Sequence, residues 1–530
     1  MSRQCKRITR IGLGIIIIWI LVAGAANAAE LTIGLRAEPS MDPHFLYLTT
    51  NLAYSAHVYA KLVRVDENSK RIPDLATSWK ALNDTTWEFK LRQGVKFHDG
   101  SAFTAEDVVF SINRVPKVPN NPTPYTAYTS RIIEMEIVDP YTIRFKLDKI
   151  TASLPADLVK FVVVSKKAAE GATTADFASG KAAVGTGPFR FVKYVPGDSV
   201  ELVRNENYWG EKPAWDKVTM RMISNDAARV ATLLGGDVDM IEYVPPSEVG
   251  HLEKNKNFRV FKRPTLRLMY VSGVHRMIDT SPYLTTKDGK PLPQNPFKDI
   301  RVRRAISMAI NREVICKEIY DGLAAPASQL VPEKTFGYNP DLKVEKYDPA
   351  RAKKLLAEAG YPDGFGVTIH GPNDRYPNDA KTCQAVGQML ARIGLTVKIE
   401  TMPGSIYFSK IRSPNKEFPF YLLAWGNTSG ESLEGMTQVL HSYDKDKGYG
   451  NSNRSNYANP DFDLIAEKAV ATNDDAEREK LLRGAMAIAI NDLAIIPLHA
   501  LYTVAATRKG LNYVPRADEE TWAMNVKPAP

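Results

Sequence analysis

The sequence has few cysteines and few histidines for its length. Only three cysteines occur among 530 residues, which is too few for a disulfide framework to hold the fold together. The eight histidines are scattered, and no two of them stand three or four residues apart. A dedicated zinc or nickel site lacks support from this spacing. We therefore expect no metal ion and no cofactor.

Long apolar runs are also missing beyond the N-terminus. No segment of 18 consecutive apolar residues follows residue 28, so no membrane-spanning helix is predicted there. Residues 1–28 have the pattern of a cleaved secretory signal peptide, with basic residues, an apolar run from Ile11 to Val22 and the site Ala26-Asn27-Ala28. An uncleaved anchor is the alternative interpretation. Cleavage would leave a mature protein in the periplasm.

Local signatures of catalysis are absent. The patterns H-E-x-x-H, G-x-S-x-G and G-x-x-x-x-G-K-[ST] do not occur. Gly185-Thr186-Gly187 begins like a dinucleotide loop, but Arg190 stands where its third glycine belongs. Asp444-Lys445-Asp446 begins like a calcium loop and fails at Gly448. We expect no enzyme and no catalytic residue, although a nucleophile–base pair assembled from distant residues remains an open alternative.

The charge balance does not indicate a nucleic-acid partner. The sequence has 69 basic and 60 acidic residues, and four of its nine excess positive charges lie in the signal segment. The remaining excess is spread along the chain, whereas nucleic-acid binding requires basic residues gathered on one face. With 44% apolar residues, the chain is globular and long enough for two or more lobes.

Strand and helix patterns alternate along the chain. Apolar alternation predicts strands at 31–35, 87–91, 141–147 and 218–222. Thr104, followed by Glu106 and Asp107, has the pattern of a helix start. From about residue 297 longer helices are predicted, the first from Ile300 to Tyr320. Asp348-Pro349 starts the next helix, which ends at Gly360.

A strand–helix–strand unit spans residues 365–399, and its order predicts a parallel pair with a right-handed crossover. A further strand is predicted at 418–425, and helices at 461–472 and 475–492. The alternation predicts an α/β fold with mixed, mostly parallel sheets. Two lobes of this kind would hold a ligand between them, outside the carboxyl ends of the strands. Cys316 and Cys383 fall on apolar helix faces, and free buried thiols are favoured over a disulfide.

Several stretches, in order along the mature chain, resemble the family 5 extracellular solute-binding proteins of ABC importers, the group of peptide- and nickel-binding proteins. The stretches are Trp87–Arg92, Val95–Gly100, Phe103–Val108, Gly185–Phe189, Asn205–Trp209, Leu233–Asp239, Arg301–Ile306, Ala352–Tyr361 and Asn459–Asp463. Most of them are structural, because their glycines and prolines form turns and their apolar residues fill cores.

The resemblance implies a two-lobed periplasmic-binding-protein fold with an inserted α+β subdomain. Lobe I would comprise residues 29–265, with the subdomain at about 60–185, and the return segment 501–530. Lobe II would comprise residues 266–500. Hinges are expected near Arg263–Leu268 and His499–Thr503, so that closure bends both crossings together. The implied protein is a monomer that delivers a small solute to an ABC permease complex in the inner membrane.

The resemblance also suggests which residues bind the solute. Dipeptide binders of this family anchor the ligand carboxylate with an arginine before a Pro-Asn element, and Arg375 matches that place. A guanidinium suits a carboxylate or phosphate; a solvated loop arginine is the alternative. Trp425 matches a strand-ending tryptophan, and two interpretations of it stay open: stacking on the ligand or a place in the core. Glu38, Met41 and Asp42 follow the first strand, and Tyr270 and Ser272 follow the first hinge.

One position departs from the family pattern. Peptide binders hold the ligand's amino group with an aspartate three residues after the tryptophan, where this chain has Thr428. A hydroxyl cannot supply the counter-charge of a desolvated ammonium. Glu431 or Glu434 could substitute, or the ligand has no free ammonium. The loop, which includes Asn427, also suits hydroxyl-bearing solutes such as opines or sugar-phosphate conjugates.

The sequence therefore supports several functions. The first is the binding component of an ABC importer for a peptide or peptide-like solute. The alternatives are a binder of a non-peptide anionic solute, an enzyme on the same scaffold, and a binder that presents its ligand to a membrane sensor.

Overall fold

The computed structural model describes residues 29–121, 125–276, 280–411, 417–427 and 429–529. The predicted signal peptide and Thr428 lie outside these residues. The first part of the described chain contains β1 (Glu30–Leu35), α1 (Thr49–Val58), β2 (Ala60–Lys61), β3 (Val63–Val65), β4 (Arg71–Pro73), β5 (Ala76–Asn83), β6 (Thr86–Leu91), α2 (Ala105–Arg114), α3 (Thr126–Thr129), β7 (Ile132–Asp139), β8 (Thr142–Leu147), α4 (Leu154–Asp157), β9 (Val162–Val163), α5 (Lys166–Ala169), α6 (Thr174–Ala178), β10 (Phe189–Val195), β11 (Ser199–Arg204), β12 (Lys217–Met222), α7 (Asp226–Gly235), β13 (Met240–Ile241) and α8 (Pro246–Lys254).

The second part contains β14 (Phe258–Gly273), β15 (Leu284–Thr285), α9 (Ile300–Ala309), α10 (Arg312–Val314), β16 (Ala324–Pro326), α11 (Pro349–Glu358), β17 (Gly366–Pro372), α12 (Asp379–Ala391), β18 (Thr396–Met402), α13 (Gly404–Ile411), β19 (Phe420–Gly426), α14 (Leu433–Gly435), α15 (Pro460–Val470), α16 (Asp475–Asn491), β20 (Ile496–Arg508), β21 (Leu511–Tyr513) and β22 (Val526–Pro528). Most strands predicted from apolar alternation are confirmed to within a few residues. Thr104 caps α2 through a reciprocal pair of hydrogen bonds with Asp107.

One mixed sheet of twelve strands runs through the molecule, in the order β10-β11-β12-β1-β13-β20-β14-β19-β17-β15, with β16 on β20 and β18 on β17. The α/β class and the mixed sheet are confirmed. Parallel pairs form where β1 meets β12 and β13, and where β17 meets β18 and β19. Antiparallel pairs are more numerous than the prediction of mostly parallel sheets implied. The reason is that β14 and β20 run antiparallel to each other and to their outer neighbours.

Strands β14 and β20 join the two lobes. They pair from Phe258 opposite Arg508 to Val271 opposite Ile496, and the register breaks between Pro264 and Leu268. Pro264 lies opposite Tyr502 and Leu268 opposite Ala500, so three residues of β14 face one residue of β20 there. Such a bulge bends and twists a ribbon locally. The two halves of the ribbon pack into different apolar cores, one with α7 and α8 and the other in lobe II.

The inserted subdomain has its own sheet and core. Strands β5, β6, β8 and β7 form a four-stranded antiparallel sheet in that order. Phe89, Ile143 and Phe145 are fully buried on its inner face with residues of α2. In lobe II, β17, α12 and β18 form the predicted parallel unit.

The predicted helix from Ile300 to Tyr320 is interrupted. α9 ends at Ala309 because Ile310 is extended, with φ −92° and ψ 114°. Asn311 then caps a new turn by accepting a hydrogen bond from the Val314 amide. Apolar spacing continues through this break, so periodicity alone predicts one helix.

Cys316 and Cys383 are buried and not bonded to each other. Within the described ranges, no helix combines the length and the apolar character that a membrane crossing requires.

The glycines of Gly185-Thr186-Gly187 are required by close backbone contact. A Cβ at Gly185 would lie 1.9 Å from the Val58 carbonyl oxygen, and one at Gly187 would lie 2.6 Å from the His57 oxygen.

We expect Gly185→Ala to lower the free energy of unfolding by about 2 kcal/mol or more, because backbone must move. Gly250→Ala is the control, since a Cβ at this position in α8 meets nothing within 4 Å. Gly250→Ala should raise the free energy of unfolding by about 0.5–1 kcal/mol. Similar unfolding curves for the two variants would contradict the close backbone contact at Gly185.

His57 links α1 to the C-terminal segment in its neutral form. Its Nδ1 donates to the Ala53 oxygen (2.7 Å), and its Nε2 accepts from the Ala523 amide (2.9 Å). Burial lowers the pKa of His57 to about 4, against a weaker opposing effect of backbone hydrogen bonds.

Because the pKa of His57 is lower in the folded protein, the unfolded chain binds a proton at His57 more readily. The free energy of unfolding should therefore fall as the pH decreases from about 6.5 towards 4. His57→Gln offers a similar donor and acceptor without titrating. We expect its unfolding free energy, measured in denaturant at pH 7 and 4.5, to fall by about 2 kcal/mol less than that of the unaltered protein. Equal losses would show that His57 does not contribute.

Candidate functional site

The carboxyl ends of the parallel strands in both lobes point towards the register break of the β14–β20 ribbon, which is the predicted hinge. In lobe II, β17 ends at Pro372 and β19 at Gly426, and the loops that follow them carry Arg375 and Asn427. In lobe I, β1 ends at Leu35 and β13 at Ile241. Ligands of open α/β sheets bind outside such ends. The candidate site is therefore the cleft between these two sets of loops.

Lobe I contributes Arg36 and Tyr243 to the cleft. The Arg36 guanidinium lies 4.7 Å from the centre of the Tyr243 ring, and the Arg36 amide donates to Glu242 (2.9 Å). Burial raises the pKa of Tyr243, which Arg36 opposes and Glu519 reinforces. Tyr243 and Glu519 both have left-handed backbone, with φ of 52° and 66°. This conformation is uncommon for residues other than glycine and occurs often at functional sites.

The hinge contributes an ion pair between Arg267 and Glu519. Their side chains are half-buried and 3.1 Å apart, and Glu519 raises the pKa of the guanidinium. The Arg267 guanidinium lies against Gly426 at the end of β19. This pair connects the C-terminal return segment to lobe II.

Lobe II contributes Arg375 and Tyr376. Arg375 is exposed, with its guanidinium 5.1 Å from the ring centre of the buried Tyr376. Burial raises the pKa of Tyr376, and the two nearby cations Arg375 and Arg267 oppose that shift. The charge of Glu519 acts on Tyr243, which contacts Arg36, and the charge of Arg267 acts on Tyr376, which contacts Arg375.

Two of these three arginines have no carboxylate partner. Arg267 is paired with Glu519, whereas no carboxylate of the described chain forms an ion pair with the side chain of Arg36 or Arg375. Charges of one sign in a cleft with low-dielectric walls attract the opposite sign. Arg36 and Arg375 are therefore the candidate partners of an anionic group.

The acidic residues considered as substitutes for the missing aspartate are already paired. Glu431 is 2% exposed, lies 3.1 Å from Arg478 and also faces Arg71 at 3.8 Å. Glu434 lies 3.0 Å from Lys160 of the subdomain. Neither carboxylate is available to an added ammonium, because a buried cation already neutralises each one.

Trp425 and Asn427 lie side by side at the end of β19. Trp425 is half-buried against the lobe II core, and its indole N–H finds no acceptor among the described residues. Asn427 is fully buried and donates to the Leu330 oxygen (3.0 Å). Both side chains face Gly435, where a Cβ would lie 2.8 Å from Asn427 Oδ1 and 3.3 Å from Trp425 Nε1.

Comparison with known proteins identifies the family of this chain. The family described as bacterial extracellular solute-binding proteins, family 5 Middle, matches residues 70–447, which is more than half of the chain. The chain belongs to family 5 of the bacterial extracellular solute-binding proteins. Two-lobed periplasmic binding proteins of this family serve ABC importers.

Individual relatives match over nearly the full length of this family 5 protein. Heme-binding protein A of Haemophilus influenzae is 29% identical over 519 residues, covering 89% of this chain and 90% of that protein. Glutathione-binding protein GsiB of Escherichia coli strain K12 is 27% identical over 522 residues, covering 96% of each chain. The structure of DppA from Helicobacter pylori in complex with the peptide STSA superposes with a TM-score of 0.71 at 27% identity, covering 94% of this chain and 98% of that one.

The other predicted site residues of this family 5 protein have partners or packing within the protein. Glu38 is exposed and accepts hydrogen bonds from the Tyr194 hydroxyl (2.5 Å) and the Gly197 amide (2.7 Å) at the β10–β11 hairpin. Met41 is buried in the lobe I core. Tyr270 is buried in the lobe II core, and Ser272 donates to the Ala494 oxygen (3.1 Å). Strand alternation turns the side chains of Tyr270 and Ser272 into the sheet packing, which their nearness to the hinge in sequence does not reveal.

Sequence reasoning missed Arg36, Tyr243, Arg267 and Glu519. Arg36 and Tyr243 could have been found from the sequence, because they follow the short buried strands β1 and β13. Ligands of open α/β sheets bind outside the carboxyl ends of such strands. Glu519 had no such signal, since it comes to the hinge on the return segment from more than 250 positions away. In the part of the chain that the structure describes, no group of three or more His, Cys, Asp or Glu side chains is arranged to hold a metal ion.

Asp42 has a structural partner. Its carboxylate is fully buried and accepts hydrogen bonds from both terminal nitrogens of Arg114 at 2.8 and 2.6 Å, and from Thr174 at 3.1 Å. Burial favours the neutral acid, but the hydrogen bonds and charge of Arg114 outweigh it and hold the pKa of Asp42 below its usual value.

We expect Asp42→Ala to lower the free energy of unfolding by about 3 kcal/mol, because it leaves the buried Arg114 without a counter-charge. Glu38→Ala, which removes an exposed carboxylate from the same loop, should cost less than about 1 kcal/mol. Chemical denaturation measures both values. If the two losses were equal, the buried ion pair would not be what holds this loop.

Proposed function

We propose that this protein is the binding component of an ABC importer, which captures a small peptide or peptide-like solute bearing carboxylates and delivers it to an inner-membrane permease. The observation that carries the proposal is that two exposed arginines without carboxylate partners, Arg36 and Arg375, follow β1 and β17, the parallel strands of opposite lobes. The predicted signal peptide supports a periplasmic location for the mature protein, which we propose acts as a monomer.

Closure of the cleft strengthens anion binding. As the lobes approach, water leaves, and a charged hydrogen bond gains strength in the lower dielectric. A guanidinium binds a carboxylate with two parallel hydrogen bonds, which fixes its orientation. Two such groups suit a solute with two carboxylates. Heme and glutathione, named in the descriptions of two relatives, each carry two carboxylates, and we propose dicarboxylate peptides, with the α-amino group free or blocked, as the first solutes to test.

The chain crosses between the lobes twice, in β14 and in β20, and both crossings can bend together during closure. The register break at Pro264 and Leu268 lies in both partners of the β14–β20 ribbon, so a change of twist there rotates one lobe relative to the other. We therefore propose that the lobes hinge at residues 263–268 and 499–503, with domain limits as predicted from the sequence.

A second candidate is a non-peptide anionic solute, such as an opine or a sugar-phosphate conjugate. The specific observation in its favour is the pairing of Glu431 with Arg478 and of Glu434 with Lys160. With both carboxylates neutralised, a free α-ammonium would be desolvated without a counter-charge, at a cost of several kcal/mol. Free and N-acetylated forms of one peptide distinguish the candidates, since a site without an ammonium partner should prefer the acetylated form.

The solute class can be tested by thermal-shift screening of the mature protein against peptides, glutathione, heme, opines and sugar phosphates. A solute present at a hundredfold its Kd should add about 2.7 kcal/mol of stability. Mass spectrometry of the co-purified solute gives its identity independently. Chemical turnover of a solute, with no stabilisation by any of them, would contradict a transport role and favour an enzyme.

Arg375→Ala should weaken an anionic solute by about 2 kcal/mol, which is roughly thirtyfold in Kd, because a charged hydrogen-bond partner is lost. Arg392→Ala is the matched control, since Arg392 is an exposed arginine at the opposite end of α12. Titration calorimetry with the solute found by screening measures both. An unchanged Kd for Arg375→Ala would place the anion elsewhere.

A further inference from the structure

Lys160 places a buried ammonium group between the lobes. The residue ends a short turn of the subdomain, Leu158–Lys160, and is only 2% exposed. Its Nζ lies 3.0 Å from Glu434 of lobe II. A lysine in such a position is costly to bury unless it is paired. The carboxylate of Glu434 outweighs burial and keeps the pKa of Lys160 above its usual value, so the side chain stays charged.

Aromatic rings complete the surroundings of this ammonium. Nζ lies 4.2 Å from the ring centre of Tyr128 and 5.8 Å from that of Tyr47. A cation over aromatic faces, with a carboxylate beside it, is the arrangement by which proteins recognise alkylammonium groups. Lys160, Tyr128 and Tyr47 come from lobe I and its subdomain, whereas Glu434 comes from lobe II. We call these four residues the ammonium cage.

Glu434 is the principal counter-charge in the cage. Asp157 also lies near Lys160, but burial raises its pKa to about 7, with Lys160 opposing and the acids Glu431 and Glu434 adding to the shift. Glu431 is itself held by Arg478 and Arg71. The remaining ionised group in direct contact with the Lys160 ammonium is therefore Glu434.

The ammonium cage adjoins the loop that lines the cleft. Glu434 precedes Gly435, which packs closely against Asn427 Oδ1 and Trp425 Nε1. The carboxylate that Lys160 occupies therefore belongs to the residue next to the one that packs against Trp425 and Asn427.

We propose that Lys160 is a specificity-determining residue, whose ammonium fills a carboxylate and tyrosine cage between the lobes in which the amino group of a solute would otherwise bind. The same contact joins the subdomain to lobe II and so favours the closed arrangement. The inference rests on the proposed function in that it narrows the solute class to molecules without a free amino group near Trp425.

The placement of Lys160 is tested by amine acetylation of the mature protein, read for each lysine by peptide mass spectrometry. Lys166 is the internal control, because it also forms a 3.0 Å ion pair, with Glu106, but within the subdomain and with both partners exposed. We expect Lys160 to react about tenfold or more slowly than Lys166, and Glu434→Gln to remove most of that protection. Equal rates of the two lysines in the unaltered protein would overturn the proposal.

Binding by the cage is tested with propylammonium, which has the atoms that Lys160→Ala removes beyond Cβ. Propylammonium should raise the Tm of Lys160→Ala, but not that of Lys166→Ala or of Lys160→Ala combined with Glu434→Gln. Uncharged propanol should have no such effect. A propylammonium shift equal in Lys160→Ala and Lys166→Ala would overturn the proposal.

If Lys160→Ala does not fold, the acetylation rates decide the question alone, with Glu434→Gln as the variant that keeps the side-chain shape. Neither experiment uses the transported solute. Their failure would therefore leave the proposed importer function standing, and failure of the solute screen would leave the cage standing.

Discussion

Strands β14 and β20 hydrogen-bond to each other through both lobes, and their pairing constrains everything else in the molecule. One half of this ribbon lies in the lobe I part of the twelve-stranded sheet and the other half in the lobe II part, so that the sheet has no free edge at the hinge. The bulge between Pro264 and Leu268 is the one register break between Phe258 and Leu268 in this pairing. It directs Arg267 towards Glu519 and Gly426, at the point where both sets of loops meet.

The distribution of paired and unpaired charges follows from this arrangement. Away from the hinge, cations of one lobe meet acids of the other, as Lys160 meets Glu434 and Arg71 meets Glu431. Near the hinge, Arg36 and Arg375 are exposed to solvent and form no ion pair with a carboxylate of the described chain. Contacts between lobes thus pair these charges, and under the proposed function the unpaired arginines supply the positive charge that attracts an anionic solute.

Much of the fold was predictable because it depends on local patterns. Alternating residues placed β6, β8 and β12, and the Thr104 and Asp348 caps placed two helix starts. The interruption after Ala309 was not predictable, because Ile310 continues the apolar spacing while its backbone leaves the helix. The balance of strand directions was missed because no strand was predicted at β14 or β20, and only their pairing shows that one antiparallel ribbon serves both lobes.

For the candidate site, the sequence by itself determined the family resemblance, the loops after β17 and β19, and the lack of an aspartate at position 428. These features are local, since each depends on residues adjacent in the chain. Only the tertiary structure decided that Asp42 binds Arg114, that Tyr270 and Met41 are core residues, and that Glu431 and Glu434 are already paired. Arg267 and Glu519 are separated by 252 positions. Their contact arises because the chain crosses the hinge and returns, and no spacing rule encodes such a distance.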